Sequence, residues 1–236
     1  MEDVHFYIDN APPGEVEWVL RCLHASDPMT TQMIAERLST EFGVAMQKDK
    51  TYSPRRLFDL GLSDQGTSDA KKKAYTLTAL GQRVRELLAL DNELYPDLMH
   101  YLHYSSYDAK PGSRKFLWSY RHCCNSVWSE RRLIDKGEMA SRILGWMKQE
   151  FPKLDYGARV GARFDGTAVG RCYAWVQQLQ PAPFSNADNS LMPRITQRYE
   201  LALLALDDVY RTRGYGYGDP VVLDAQFLDD VSRVFF

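Results

Sequence analysis

Apolar residues recur at helical spacing along most of the chain, and the interruptions fall at proline and glycine. Val16, Val19, Leu20 and Leu23 follow the Pro12-Pro13-Gly14 break at intervals of three and four, which predicts a short amphipathic helix across Gly14–Ala25. After Asp27-Pro28, Thr30 stands where a side-chain cap is wanted. Met33, Ile34, Leu38 and Phe42 then form the apolar face of a second helix that stops at Gly43. A third helix starts at Ser53-Pro54, serine as cap and proline at the first helical position, and runs through Arg55, Arg56 and Leu57 to Leu60-Gly61-Leu62. Ala74 to Thr78 alternates as a strand does, and Thr78 caps a further helix through Leu80, Val84, Leu87 and Leu88. Ser63 to Lys73 reads as a polar loop.

Beyond residue 93 the pattern stays helical. Pro96–Tyr107 and Lys115–Arg132 are rich in aromatics, with Leu98, Leu102, Leu117, Tyr120, Val127 and Trp128 at core spacing and Pro111-Gly112 between them. Asp135–Pro152 echoes the second helix down to its ending, Glu150-Phe151-Pro152 beside Glu41-Phe42-Gly43. A loop with Gly157, Gly161 and Gly166 follows, then a helix from Thr167 to Leu179. The helix-loop-helix order of the first part thus recurs over 133–190, and two readings stand: a second, degenerate unit of the same kind, or a plain helical domain with the periodicity any amphipathic helix shares. Helices over Ile195–Tyr210 and Asp224–Phe236 close the chain. The expected fold is mainly α, in two domains at 1–92 and 93–236.

Three helices, a polar loop, a strand and a closing helix make the order of a winged helix-turn-helix. Leu60-Gly61-Leu62 followed by Tyr75-x-Leu77-Thr78-x-x-Gly81 resembles the end of the third helix and the second wing strand of bacterial winged-helix transcriptional regulators, a resemblance that covers about residues 15 to 90. The stretch from Gly43 to Ser53 is longer than the tight turn of that motif. The resemblance implies a third helix in the DNA major groove and a wing on the phosphate backbone. That carries over here to Arg55 and Arg56 on the helix and Lys71, Lys72 and Lys73 on the wing, with Lys48 and Lys50 just upstream joining the same DNA-binding set.

Charge adds local support only. The 236 residues carry a net charge of -2, which argues against a chain coated in positive charge. Residues 28–90, however, hold ten Lys/Arg against seven Asp/Glu, a net +3 that leaves -5 for the remainder. A second candidate surface for nucleic acid or a partner comprises Arg159, Arg163 and Arg171 around the would-be third helix of the repeat. With them goes the loop Arg211 to Gly218, in which Arg211, Arg213, Tyr215 and Tyr217 alternate with permissive glycines.

Enzyme chemistry finds little footing. No G-x-x-x-x-G-K-[ST], G-x-G-x-x-G, H-E-x-x-H or G-x-S-x-G occurs. The four cysteines, Cys22, Cys123, Cys124 and Cys172, form no C-x-x-C pair, so reduced thiols are expected. His100, His103, His122 and the adjacent cysteines supply zinc-type ligands, but neighbouring cysteines on a helix point about 100° apart and the surrounding aromatics suggest a packed core, so no metal or cofactor is expected. Pro96-Asp97 with Asp108 and Lys110 matches the letters of a restriction-type nuclease signature on a stretch whose spacing is helical. The pairs Asp207-Asp208 and Asp229-Asp230 read as solvated helix faces. No apolar run approaches the roughly 20 residues a membrane span needs, and the acidic start has no signal-peptide character, so a cytoplasmic protein is expected.

The reading favoured by the sequence is a DNA-binding winged-helix protein without catalytic activity, a regulator or DNA-binding subunit. Its partners would be duplex DNA and, through the C-terminal half, a second copy or another protein. Two rivals stand beside it: an adaptor in a nucleic-acid-processing or phage-defence complex, and a metal-dependent nuclease using Asp97, Asp108 and Lys110.

Overall fold

Thr30 and Thr78 each start a helix by accepting a backbone N–H with the side-chain oxygen, from Met33 at 3.3 Å and from Gly81 at 3.0 Å. A computed structural model of the chain describes residues 6–46, 52–68, 71–105, 115–154, 156, 164–192, 194 and 198–235. It is mainly helical, with one small three-stranded antiparallel sheet. Contacts divide it into two units, Ile8–Tyr95, and Pro96–Phe236 together with Met1–Tyr7.

The Ile8–Tyr95 unit runs α1 (Pro13–Cys22), β1 (Met29–Thr30), α2 (Thr31–Phe42), α3 (Tyr52–Asp59), β2 (Ser63–Thr67), β3 (Lys73–Leu77) and α4 (Ala79–Leu90). The sheet order is β1-β3-β2, with Met29 opposite Tyr75, Ser63 opposite Leu77 and Thr67 opposite Lys73. Val16, Val19, Leu20, Ile34, Leu38, Leu57, Leu62, Tyr75 and Val84 fill the core beneath the helices. Two expectations need correction. The buried face of α2 is Thr31, Ile34, Ala35 and Leu38, while Met33 and Phe42 are exposed, Phe42 lying against Trp18 at 5.5 Å. The first half of the supposed loop is strand β2, an edge strand whose Ser-Asp-Gln-Gly-Thr residues lie exposed after Ser63 and so show no apolar alternation.

The spacing that carried the resemblance has a structural cause. Gly61 adopts φ 73° just past α3, which suits a residue without Cβ. Its carbonyl accepts the Thr78 hydroxyl at 2.8 Å, and the Thr78 N–H donates to the Leu62 carbonyl at 3.1 Å. Gly81 faces that same carbonyl so closely that a Cβ would lie 1.9 Å from its oxygen. The end of α3 is thus locked to the start of α4.

The other unit holds α5 (Leu94–Ser105), whose first turn contains the division between units, then α6 (Lys115–Glu130), α7 (Lys136–Glu150), α8 (Gly166–Val176), α9 (Tyr199–Arg213) and α10 (Ala225–Phe235). Asp135 caps α7 and Asp165 caps α8. A reduced version of the first unit's order recurs here. Arg132, between α6 and α7, bridges Ser190, and Phe184, after α8, bridges Leu191, so single-residue pairs repeat the 1-3-2 strand order of the full sheet. Backbone bonds from Leu133 to Asn189 and from Leu191 to Arg131, 2.9 and 2.7 Å, hold the first of these pairs.

The buried positions of α5 include Met99, His100, Tyr101, His103 and Tyr104, while Leu98 and Leu102 are only half-buried. His100 Nε2 donates to the Val234 carbonyl at 2.7 Å and Nδ1 accepts from the Tyr120 hydroxyl at 2.7 Å, so both ring nitrogens are engaged. His103 Nδ1 lies 2.7 Å from the Met99 carbonyl. Among the described residues no three His, Cys, Asp or Glu side chains converge as metal ligands, and no helix is long and apolar enough to cross a membrane.

Three of the four acidic residues expected on solvated helix faces near the C-terminus form ion pairs, though Asp229 stays 41% exposed. Asp208 is buried between Arg121 (3.1 Å) and Arg211 (2.6 Å), Asp229 accepts from Trp128 and Arg131, and Asp230 accepts from Arg213 and Arg233. Arg194 is the densest such node. It pairs with buried Asp97 at 2.6 Å and donates to the Gln180, Pro181 and Phe235 carbonyls, tying α5, the segment after α8 and the end of α10 together.

Candidate nucleic-acid interface

Helix α3 is fixed by what it buries. Leu57 enters the core, and the Ser53 hydroxyl donates to Glu15 on α1. Ser53 is therefore an internal anchor and not the cap predicted from its place before proline, since the helix already includes Tyr52.

The two arginines of α3 part company. Arg55 projects from the helix with its side chain 46% exposed and its Nε 4.0 Å from the Asp59 carboxylate. The Arg56 side chain is 1% exposed, with Nη1 3.8 Å from the same carboxylate oxygen. Successive helical residues lie about 100° apart, so when Leu57 and Ser53 face inward, Arg56 is drawn in with them and Arg55 stays out. Arg56 does not present its guanidinium to a ligand, which corrects its assignment as a DNA contact. Tyr75 on β3 lies buried nearby; burial raises its phenol above the ordinary value of 10.0, the Arg55 charge opposing and Asp59 reinforcing that shift.

The hairpin β2–β3 turns at Ser68–Lys72. Lys71 sits at φ 57°, its N–H donating to the Ser68 carbonyl at 2.8 Å, and Ser68 N–H donates to the Lys72 carbonyl at 2.8 Å. The Ser68 hydroxyl accepts from the Lys72 N–H at 3.2 Å, a local side-chain bond that holds the turn. Lys71, Lys72 and Lys73 are all exposed. Exposed Tyr52 belongs to the same α3 surface as Arg55, and Gln65 and Thr67 extend the hairpin's outer edge. Sequence reasoning missed Tyr52 because it placed the helix start one residue later, and missed Gln65 and Thr67 because it took their strand for a loop.

Lys48, Lys50, Arg159, Arg163, Asp108 and Lys110 lie outside the described residues. Arg171 is half-exposed on α8, beside a cavity of about 300 Å³ lined also by Asp165 and Thr167. Arg211 and Arg213 pair with Asp208 and Asp230, the Arg211 side chain remaining 50% exposed and that of Arg213 26%, so their charge is answered within the unit. Tyr215 packs edge-on against Tyr210 at 5.7 Å, and Tyr217, 93% exposed, donates its hydroxyl to Asp207 at 2.7 Å. Asp97 stands on a helix with its carboxylate held by Arg194, unlike a metal-binding acid on a hairpin strand.

No family model, no curated protein and no solved structure matches the chain.

Proposed function

We propose that the Ile8–Tyr95 unit is a winged helix-turn-helix that binds duplex DNA, and that the protein is a regulator or DNA-binding subunit without catalytic activity of its own. The observation that carries this reading is the concentration of cations on two adjoining features of one unit: Arg55 projecting from the third helix, and Lys71 to Lys73 at and beside the hairpin tip. The element order α1-β1-α2-α3-β2-β3 with the sheet arranged β1-β3-β2 supports it. In this reading Arg55 and Tyr52 approach base edges or flanking phosphates, and the three lysines neutralise backbone charge.

The reduced repeat in the other unit differs in chemistry. Its corresponding turn, Ser185–Asn189, holds Asp188 and no cation, and the exposed or half-exposed side of α8 carries Thr167, Gly170, Arg171 and Ala174. Among the described residues that contrast supports DNA as the partner of the first unit over the second. The adaptor reading draws support from exposed apolar residues of the second unit, Tyr199, Leu203, Val222 and Leu223 among them.

Fluorescence anisotropy with a labelled duplex tests the choice. Replacing Arg55, Lys71, Lys72 and Lys73 by alanine is expected to abolish binding, and Arg211→Ala with Arg213→Ala to leave DNA affinity unchanged. Unaltered duplex affinity in the first variant would overturn the assignment.

A further inference from the structure

In the unit holding residues 96–236, α6 and α7 flank a solvent-open cavity of about 580 Å³ whose lining includes His122, Asn125, Arg142, Trp146, Gln149 and Glu150. Two of its lining residues, His122 and Trp146, are the outer end of a row of rings that starts in the core of this unit. Phe6 and Phe151 pack on Trp118 at 5.8 and 5.4 Å, Trp118 on His122 at 4.1 Å, and His122 on Trp146 at 5.3 Å. The row is braced at both sides: the Trp118 indole N–H donates to Glu150 Oε2 at 2.8 Å, and the Asn125 amide oxygen accepts the Tyr104 hydroxyl at 2.8 Å.

Those two bonds decide what the cavity offers. With its oxygen taken, Asn125 presents its NH₂ as a donor; with Oε2 taken, Glu150 keeps Oε1 as an acceptor; and Gln149 supplies one of each. Arg142 is pinned by Glu130 at 2.8 Å and Glu138 at 2.6 Å, so its charge is already answered. Burial holds His122 below its ordinary value, Glu150 opposing and Arg121 assisting.

We propose that this cavity binds a neutral nucleobase or nucleoside, its base stacked on Trp146 at the end of the ring row and its edge read by Asn125, Gln149 and Glu150. A planar π-system continues the row, and mixed donors and acceptors at the rim match the edge of a base. The volume lies in the range of small-molecule sites and takes a nucleoside with its sugar. Glu150 is the carboxylate in the lining, and the one lining cation, Arg142, is already paired with Glu130 and Glu138, which sets the site against a phosphate. The proposal is independent of DNA binding by the other unit.

Isothermal titration calorimetry and saturation-transfer NMR on the full chain, with adenosine, inosine, cytidine, uridine and their 5′-monophosphates, test it. At least one nucleoside is expected to bind saturably with Kd of about 1 mM or tighter. Trp146→Ala should weaken it roughly tenfold or more, as loss of a stacking platform does. Gln149→Ala, at an exposed position, should weaken it measurably with an unchanged circular dichroism spectrum, and the matching monophosphate should bind less tightly. If Trp146→Ala is misfolded by circular dichroism, Trp146→Leu, which keeps apolar bulk without a ring face, takes its place and should likewise weaken binding. The proposal is overturned if no nucleoside binds up to about 10 mM, if affinity is indifferent to the substitutions, or if the monophosphate binds more tightly.

Discussion

Gly81→Ala tests whether the lock between the end of α3 and the start of α4 holds the first unit together. The added Cβ would lie 1.9 Å from the Leu62 carbonyl oxygen and 2.8 Å from its carbon, where real contacts stay beyond 3.0 Å, so the backbone at Leu62 must move by about an ångström. That carbonyl accepts the Thr78 N–H, and the neighbouring Gly61 carbonyl accepts the Thr78 hydroxyl. Overpacking of this kind costs about 1–3 kcal/mol, and each hydrogen bond lost about 1 kcal/mol. Helix propensity returns at most about 1 kcal/mol. The expected net loss is about 2–3 kcal/mol. Gly145→Ala on α7, where nothing lies within 4 Å of the new methyl, is the control and should stabilise its helix by up to about 1 kcal/mol. Because the two units need not unfold together, hydrogen exchange on peptides spanning 57–90 and 136–150 is the assay, reading each unit separately. Equal or slower exchange over 57–90 in the Gly81 variant would refute the reasoning.

Burial lowers His100 from 6.5 to about 4, while the unfolded imidazole keeps its ordinary value. Between those two pH values the unfolded state binds the extra proton, so stability falls as pH falls through that window, by about 3 kcal/mol at its foot. Urea titrations from pH 7 to 4 should show this slope, and His100→Gln should flatten it. Arg194→Met removes the partner of buried Asp97 and three carbonyl bonds, and should cost the 96–236 unit about 3–5 kcal/mol, read as earlier urea unfolding; a change below about 1 kcal/mol would mean the cluster is solvated.

How far the residues could be read in advance depended on how local each signal was. Caps and stops at Thr30, Gly43 and Thr78 are written within three residues of where they act, and they mark helix ends in the structure. Strand β2 was missed because it is an edge strand with exposed polar residues, stabilised by pairing with β3 rather than by its own pattern. Arg55 and Arg56 looked equivalent because adjacency hides helix phase, which is set by Ser53 bonding Glu15 on distant α1 and by the burial of Leu57. Arg213 looked like part of a basic loop because its carboxylate partner, Asp230 on α10, is supplied by the tertiary fold, whereas Arg211 pairs with Asp208 one turn earlier on its own helix. The cavity between α6 and α7 left no motif, since its members come from two helices and its chemistry depends on which amide oxygen is already bonded.

The most direct test of DNA binding by the first unit is the salt dependence of duplex affinity for the unaltered protein. Four cations at phosphates, Arg55 and Lys71 to Lys73, predict a slope of log K against log salt near -3.6, about a hundredfold loss between roughly 50 and 200 mM. The quadruple alanine variant would lose the slope with the affinity. Absence of duplex binding at the lower salt, or binding whose slope the variant leaves unchanged, would contradict the account.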